Sequence, residues 1–246
     1  MKTKLSLLPI LFLVLIIPTA IAAITEIFKS VLIWHFRIVD FFDLVVTAPL
    51  YFVCFVTIYF LWVQNTISSP IKWLYIFCVA LFLYGHSMHV TANAIDTYSM
   101  EIQGYQDRIP QDVYELVYFL DETLSHILTF FGLYGFLLCF LWIDGTTPDN
   151  GDTSNFGALP LGIIYGIGQG IALVEAGKVW VAGLFFISSV IVFLLVSIRT
   201  HLGFGQLLRK SVVVVLFSGI VPGQLLSLLV YWLIFGDFIQ PSKLGL

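Results

Sequence analysis

Apolar runs about twenty residues long, parted by short polar connections, recur along the whole of this chain. A helix crossing a bilayer core of about 30 Å needs about 20 mostly apolar residues. Seven stretches meet that length, near 5–23, 44–64, 72–94, 113–142, 158–177, 179–198 and 211–235. The links Asn65 to Pro70, Asp96 to Asp112 and Asp144 to Asn155 carry turn formers and most of the acids. The pattern predicts an all-α polytopic membrane protein, a bundle of seven transmembrane helices forming a single domain over 1–246.

Two N-terminal segments carry further expectations. Lys2 and Lys4 precede an apolar run that ends in Pro18-Thr19-Ala20-Ile21-Ala22. A basic start, an apolar stretch and a small-x-small ending describe either a first span or a cleaved signal peptide over 1–23, and cleavage leaves six spans. From 24 to 43 apolar and charged residues mix, with Phe28, Trp34 and Phe36 beside Lys29, Arg37 and Asp40. That mixture suits an interfacial helix with its aromatic rings at headgroup depth. His35 or Asp40 on it is placed to reach over a neighbouring site as a gate.

Composition agrees with the pattern. The chain is 59% hydrophobic and only 11% charged, whereas soluble domains carry roughly a quarter charged residues. A net charge of -4 with no basic stripe excludes a nucleic-acid partner; the expected partners are the bilayer and a lipid or apolar small molecule. Cys54, Cys78 and Cys139 fall singly in apolar runs and read as small buried hydrophobes. With the N-terminus in the cytoplasm, Lys2, Lys4, Lys72, Arg199, Arg209 and Lys210 lie inside, against Lys29, Arg37, Arg108, Lys178 and Lys243 outside. That majority favours an inside N-terminus.

Against this background two polar stretches stand out, Gly85-His86-Ser87-Met88-His89-Val90-Thr91-Ala92-Asn93 and Asp121-Glu122-Thr123-Leu124-Ser125-His126. Ionisable groups inside a span are costly, so such a cluster is a functional-site hypothesis by default. At about 100° per residue His86, His89 and Asn93 share an arc of about 60°. Glu115, Tyr118, Glu122, His126 and Thr129 share about 80°, and Asp121 stands about 100° from Glu122. At about 1.5 Å per residue His86 and His89 lie about 12 and 8 Å below the end of their span, and Glu122 and His126 about 14 and 20 Å below the start of theirs. The two spans are consecutive and antiparallel, so the cluster closes near one face, the extracytoplasmic one in this orientation.

Three histidines and a carboxylate without thiolate suit a divalent transition metal, zinc first, then iron or copper. The expected ligands are His86, His89, Glu122 and His126. Asp121 or Glu122 takes the proton of a metal-bound water, and Asn93, Ser125 and Tyr118 orient ligands or substrate from the next shell out. Glu175 closes a glycine-rich span near the same face and adds a possible pocket acid. The leading expectation is a metal-dependent enzyme acting by water activation on a lipid or apolar substrate. Iron or copper redox chemistry, a proton-coupled transporter or channel using the cluster as relay, and an accessory subunit with a structural metal are the alternatives. The Gly219-x2-Pro222-Gly223-Gln224 stretch bears on the transporter, since broken helices line transport pathways.

In helix number and embedded histidines the chain is similar to the seven-helix membrane hydrolases, the alkaline ceramidases and adiponectin-receptor-like proteins. Their last span carries His-x3-His; here Ser211 to Tyr231 has no histidine, and it also lacks the lysine that binds retinal in microbial rhodopsins. Glu122-x3-His126 resembles copper-ligating pairs of membrane monooxygenases over that short motif only. These likenesses imply architecture and nothing finer.

Overall fold

The protein is described by a computed structural model, which covers residues 31–33, 36–64, 69–96, 110–147 and 157–240 and scattered positions between 10 and 28. Six helices in this part are long and apolar enough to cross a membrane: α1 (Ile38–Val63), α2 (Ser69–Asp96), α3 (Gln111–Thr146), α4 (Ala158–Glu175), α5 (Trp180–Thr200) and, last in the chain, α7 (Val212–Phe235). A short helix α6 (Phe204–Lys210) precedes α7. An all-α membrane bundle is therefore the architecture. The expected first span, 5–23, lies largely outside the described residues; of its described positions, Ile10 and Leu15 are helical and buried in the core.

The stretch expected to form an interfacial helix departs from that reading. Over its described part Leu32–Ile33 (β1) pairs antiparallel with Phe36–Arg37 (β2), as branched and aromatic side chains favour. Helix α1 then starts at Ile38, before the apolar run begins, and draws Asp40 into the bundle, where it is buried. His35 lies outside the described residues.

Helix α3 is the hub. Gly132 and Gly135 let α2 approach it; a Cβ on Gly132 would overlap the Phe82 and Cys78 backbone. Phe55, Tyr75, Phe136, Leu137 and Phe140 fill the space among α1, α2 and α3, all nearly solvent-free. On the other side α4 and α7 meet through facing glycines: a Cβ on Gly162 or Gly166 would strike the carbonyl of Leu216 or Ile220, and one on Gly219 or Gly223 that of Leu159 or Ile163. In a bilayer, where neighbouring lipid is as apolar as a side chain, such close backbone contact is a main source of helix association. Through Pro222 the helix α7 stays continuous. Its Gln224 Nε2 donates to Tyr134 Oη at 2.7 Å, so the suspected break is a packing joint.

At the end of the bundle away from the histidines, Asp144 ties α3 to α7. Its Oδ2 accepts from Ser211 Oγ at 2.6 Å and from Val213 N at 3.1 Å, while Ser211 Oγ accepts from Val214 N at 3.1 Å. These bonds satisfy the otherwise orphaned first amides of α7. Asp144→Ala strips two donors of their acceptor and should cost about 1–3 kcal/mol. Thermal unfolding in detergent, with Asp144→Asn as the milder comparison, reads the loss.

Candidate functional site

Two local features set the geometry of the polar cluster. On α2, a helix without interruption from Ser69 to Asp96, His86, His89 and Asn93 lie along one stripe as the spacing predicts. On α3 the stretch Phe119–Ser125 is π-helical. A π turn closes hydrogen bonds from i to i+5 and is frequent at functional sites. Each residue in it advances through a smaller angle than in an α-helix, so a 100° wheel misplaces whatever it carries.

The consequence falls on the two carboxylates. Asp121, expected at the edge of the stripe, is buried and faces inward. Its Oδ1 lies 2.6 Å from His89 Nδ1. Ser125 Oγ donates to the Asp121 carbonyl and is fully buried, which pins the π turn from behind. Glu122 turns outward and lines a cavity. Its Oε2 is 3.8 Å from His126 Nδ1, but that nitrogen is engaged with the Glu122 carbonyl oxygen at 3.1 Å. The i, i+4 pair therefore meets through Nδ1, leaving Nε2 of His126 pointing elsewhere.

The rings of His89 and His126 lie side by side, centroids 4.8 Å apart and planes inclined by 41°. The closure of the two spans expected from depth is thus seen at this pair. His86 sits one turn deeper, stacked on Phe82 at 5.9 Å and edge-on to Tyr51 at 5.8 Å. Its Nε2 is buried with no hydrogen-bond partner, as are Thr129 Oγ1 and Asp40 Oδ2. Buried polar atoms are ordinarily hydrogen-bonded, and these three are exceptions beside the cluster. Among the described residues, no three His, Cys, Asp or Glu side chains are grouped as a metal site as they stand.

The remaining candidates fall around this core. Asn93 Nδ2 donates to Asp40 Oδ1 at 2.6 Å, joining α2 to α1. Asp43 lies within electrostatic reach of His86 and His89. Tyr118 is half-exposed on the cavity wall, which it lines with Glu122. Glu175 is exposed, and its backbone carbonyl, not its carboxylate, makes the contact here, accepting from Gln240 Nε2 at 3.0 Å. Lys178, Thr123 and Gln240, which complete the cavity of about 550 Å³, were not singled out as site residues by the sequence. The available signal was weak: a charged turn joining two spans at the same end as the histidines.

The chain matches no protein-family model, no curated protein and no solved structure.

Proposed function

We propose that this multi-pass membrane protein is a metal-dependent enzyme that activates water at a zinc-type ion, held by His89 and His126, against a lipid or other apolar substrate. The observation that carries the proposal is that the two imidazoles lie side by side, each with its Nδ1 against an acceptor. Each Nδ1 faces an acceptor, the Asp121 carboxylate for one and the Glu122 carbonyl for the other. Each neutral ring therefore keeps its proton on Nδ1 and its lone pair on Nε2. Metal-ligating histidines are held in this way by carboxylates or carbonyls, which fix the tautomer and raise ligand basicity. Two imidazoles on one ion at about 2.0–2.1 Å per bond have centroids about 5 Å apart at a tetrahedral angle, and the observed 4.8 Å fits that spacing.

His86, with its unbonded Nε2, and Glu122, already within 3.8 Å of His126, are the side chains available to complete the set. A metal held by these residues would supply water activation, since an ion of this type lowers the pKa of a bound water to about 7. Glu122, on the cavity side, is placed to take the water's proton. Asp121 orients His89 and has no other role in the reaction.

A proton relay is the second reading, favoured by the Asp40–Asn93 and His89–Asp121 bonds lying at the same end of the bundle. Phe136, Leu137 and Phe140 close the bundle farther along α3, which suits a one-sided site better than a crossing pathway. The deciding experiment strips the purified protein with a chelator and titrates it with Zn²⁺ by calorimetry. Saturation near one equivalent, with proton release on binding, is expected; absence of saturable binding contradicts the enzyme reading. Asp121→Asn should keep the stoichiometry and weaken affinity by about 10–100-fold.

A further inference from the structure

The cavity beside the imidazole pair has its own recognition chemistry. It is lined by Tyr118, Glu122 and Thr123 from α3, by the α4–α5 turn at Ala176, Gly177 and Lys178, and by Phe238, Ile239 and Gln240 after α7. Its volume of about 550 Å³ falls within the about 300–1,000 Å³ of small-molecule sites. Three separate segments build it, and the turn is held tightly. Gly177, with φ +63°, ends α4; Gly177 N bonds Val174 O at 3.0 Å and Lys178 N bonds Leu173 O at 2.8 Å. That is the bond pattern of a Schellman cap, in which glycine takes the left-handed conformation at least cost. The cap places Lys178 at a defined position on the cavity wall. Its Nζ donates to Ala176 O at 3.2 Å, leaving two further N–H donors. From the far side Gln240 reaches across to the Glu175 carbonyl at 3.0 Å, which lays the segment after α7 over the turn.

Depth identifies the surroundings. A two-helix turn between spans sits at the membrane surface, and half-exposed Tyr118, Trp180 and Trp232 occupy the same end of the bundle. Tyrosine and tryptophan concentrate at headgroup level. Lys178 is the single basic side chain among the cavity's lining residues, and α3 contributes the hydroxyl-bearing Tyr118 and Thr123 together with the Glu122 carboxylate. The ammonium and the hydroxyl donors suit an oxyanion held on the Lys178 side, away from the Glu122 carboxylate. At headgroup depth the common oxyanion is phosphate.

We infer that this cavity binds a phosphate group, carried by a lipid or by a free phosphate compound, with Lys178 as the recognition residue and Glu122 marking the side that opens toward the imidazole pair. The inference rests on the site reading above, since it supplies that site's substrate class. Binding itself needs no metal.

The test uses the full-length protein in detergent, once as purified and once metal-stripped. Dihexanoyl phosphatidic acid, dihexanoylglycerol and inorganic phosphate are titrated separately, following tryptophan fluorescence. Wild type should bind the phosphatidic acid at least about tenfold more tightly than the glycerol, and Lys178→Gln should lose about that factor while Lys178→Arg keeps it. Unfolding temperature establishes that both variants are folded. Inorganic phosphate binding as tightly as the phosphatidic acid assigns the same chemistry to a soluble ligand; much weaker binding assigns it to a lipid. Equal affinity in wild type and Lys178→Gln, or no preference for phosphate over the bare glycerol, overturns the inference. Phosphate-selective binding by a wild type that takes up no zinc would sink the enzyme reading alone, and absence of phosphate selectivity in a wild type that does bind zinc would sink this inference alone.

Discussion

Replacing His89 and His126 together by alanine should lower Zn²⁺ affinity by at least about 100-fold, beyond the about 10–100-fold that a supporting residue contributes. In the proposed site these two rings supply the imidazole ligands, and removing both leaves only His86 and Glu122. The single variants should each keep a weak site, because Glu122 and His86 remain within a turn of the surviving ring. Fold should survive the double change, since both rings are only partly enclosed and neither joins the main aromatic core of Phe55, Tyr75, Phe136 and Phe140. Calorimetric Zn²⁺ titration beside thermal unfolding separates the two effects. Unchanged affinity in a folded double variant would place any metal elsewhere.

The second large effect concerns the frame. Gly166→Leu should cost more than about 3 kcal/mol, the upper part of the usual range for overpacking. Its Cβ meets the Ile220 carbonyl and the Gln224 amide nitrogen, backbone atoms of α7 that have nowhere to retreat. Displacing α7 also pulls Gln224 from Tyr134, leaving two buried polar groups unpaired. Gly183→Leu provides the control, as a Cβ there meets nothing within 4 Å and faces the lipid side. Unfolding temperature and elution profile in detergent should be normal for Gly183→Leu and collapse for Gly166→Leu. Two equally stable variants would mean that the α4–α7 contact does not hold the bundle.

The sequence shows the spans because the period and length of apolar runs are direct consequences of bilayer thickness. The stripe of His86, His89 and Asn93 was legible for a similar reason, since α2 is regular throughout. On α3 the same arithmetic failed. The π-helical stretch Phe119–Ser125 has no strong signature in residue type, and it exchanges the positions of Asp121 and Glu122. The inward carboxylate is Asp121, and Glu122 belongs to the cavity. Asp40 was read as part of a surface helix because the apolar run starts only after it; its burial depends on Asn93, a partner 53 residues away. Lys178 stayed unremarked because a lysine after a span is ordinarily an interfacial anchor. Only the segment after α7, folded back over it, makes a cavity there.

Elemental analysis of the protein as purified in detergent reads out whether the His89–His126 pair holds a metal ion, as proposed. About one zinc, or one iron or copper, per chain is expected in wild type, with nearly all of it lost in the His89→Ala/His126→Ala variant. A folded wild type that carries no transition metal, or a variant that retains the full amount, contradicts the proposal.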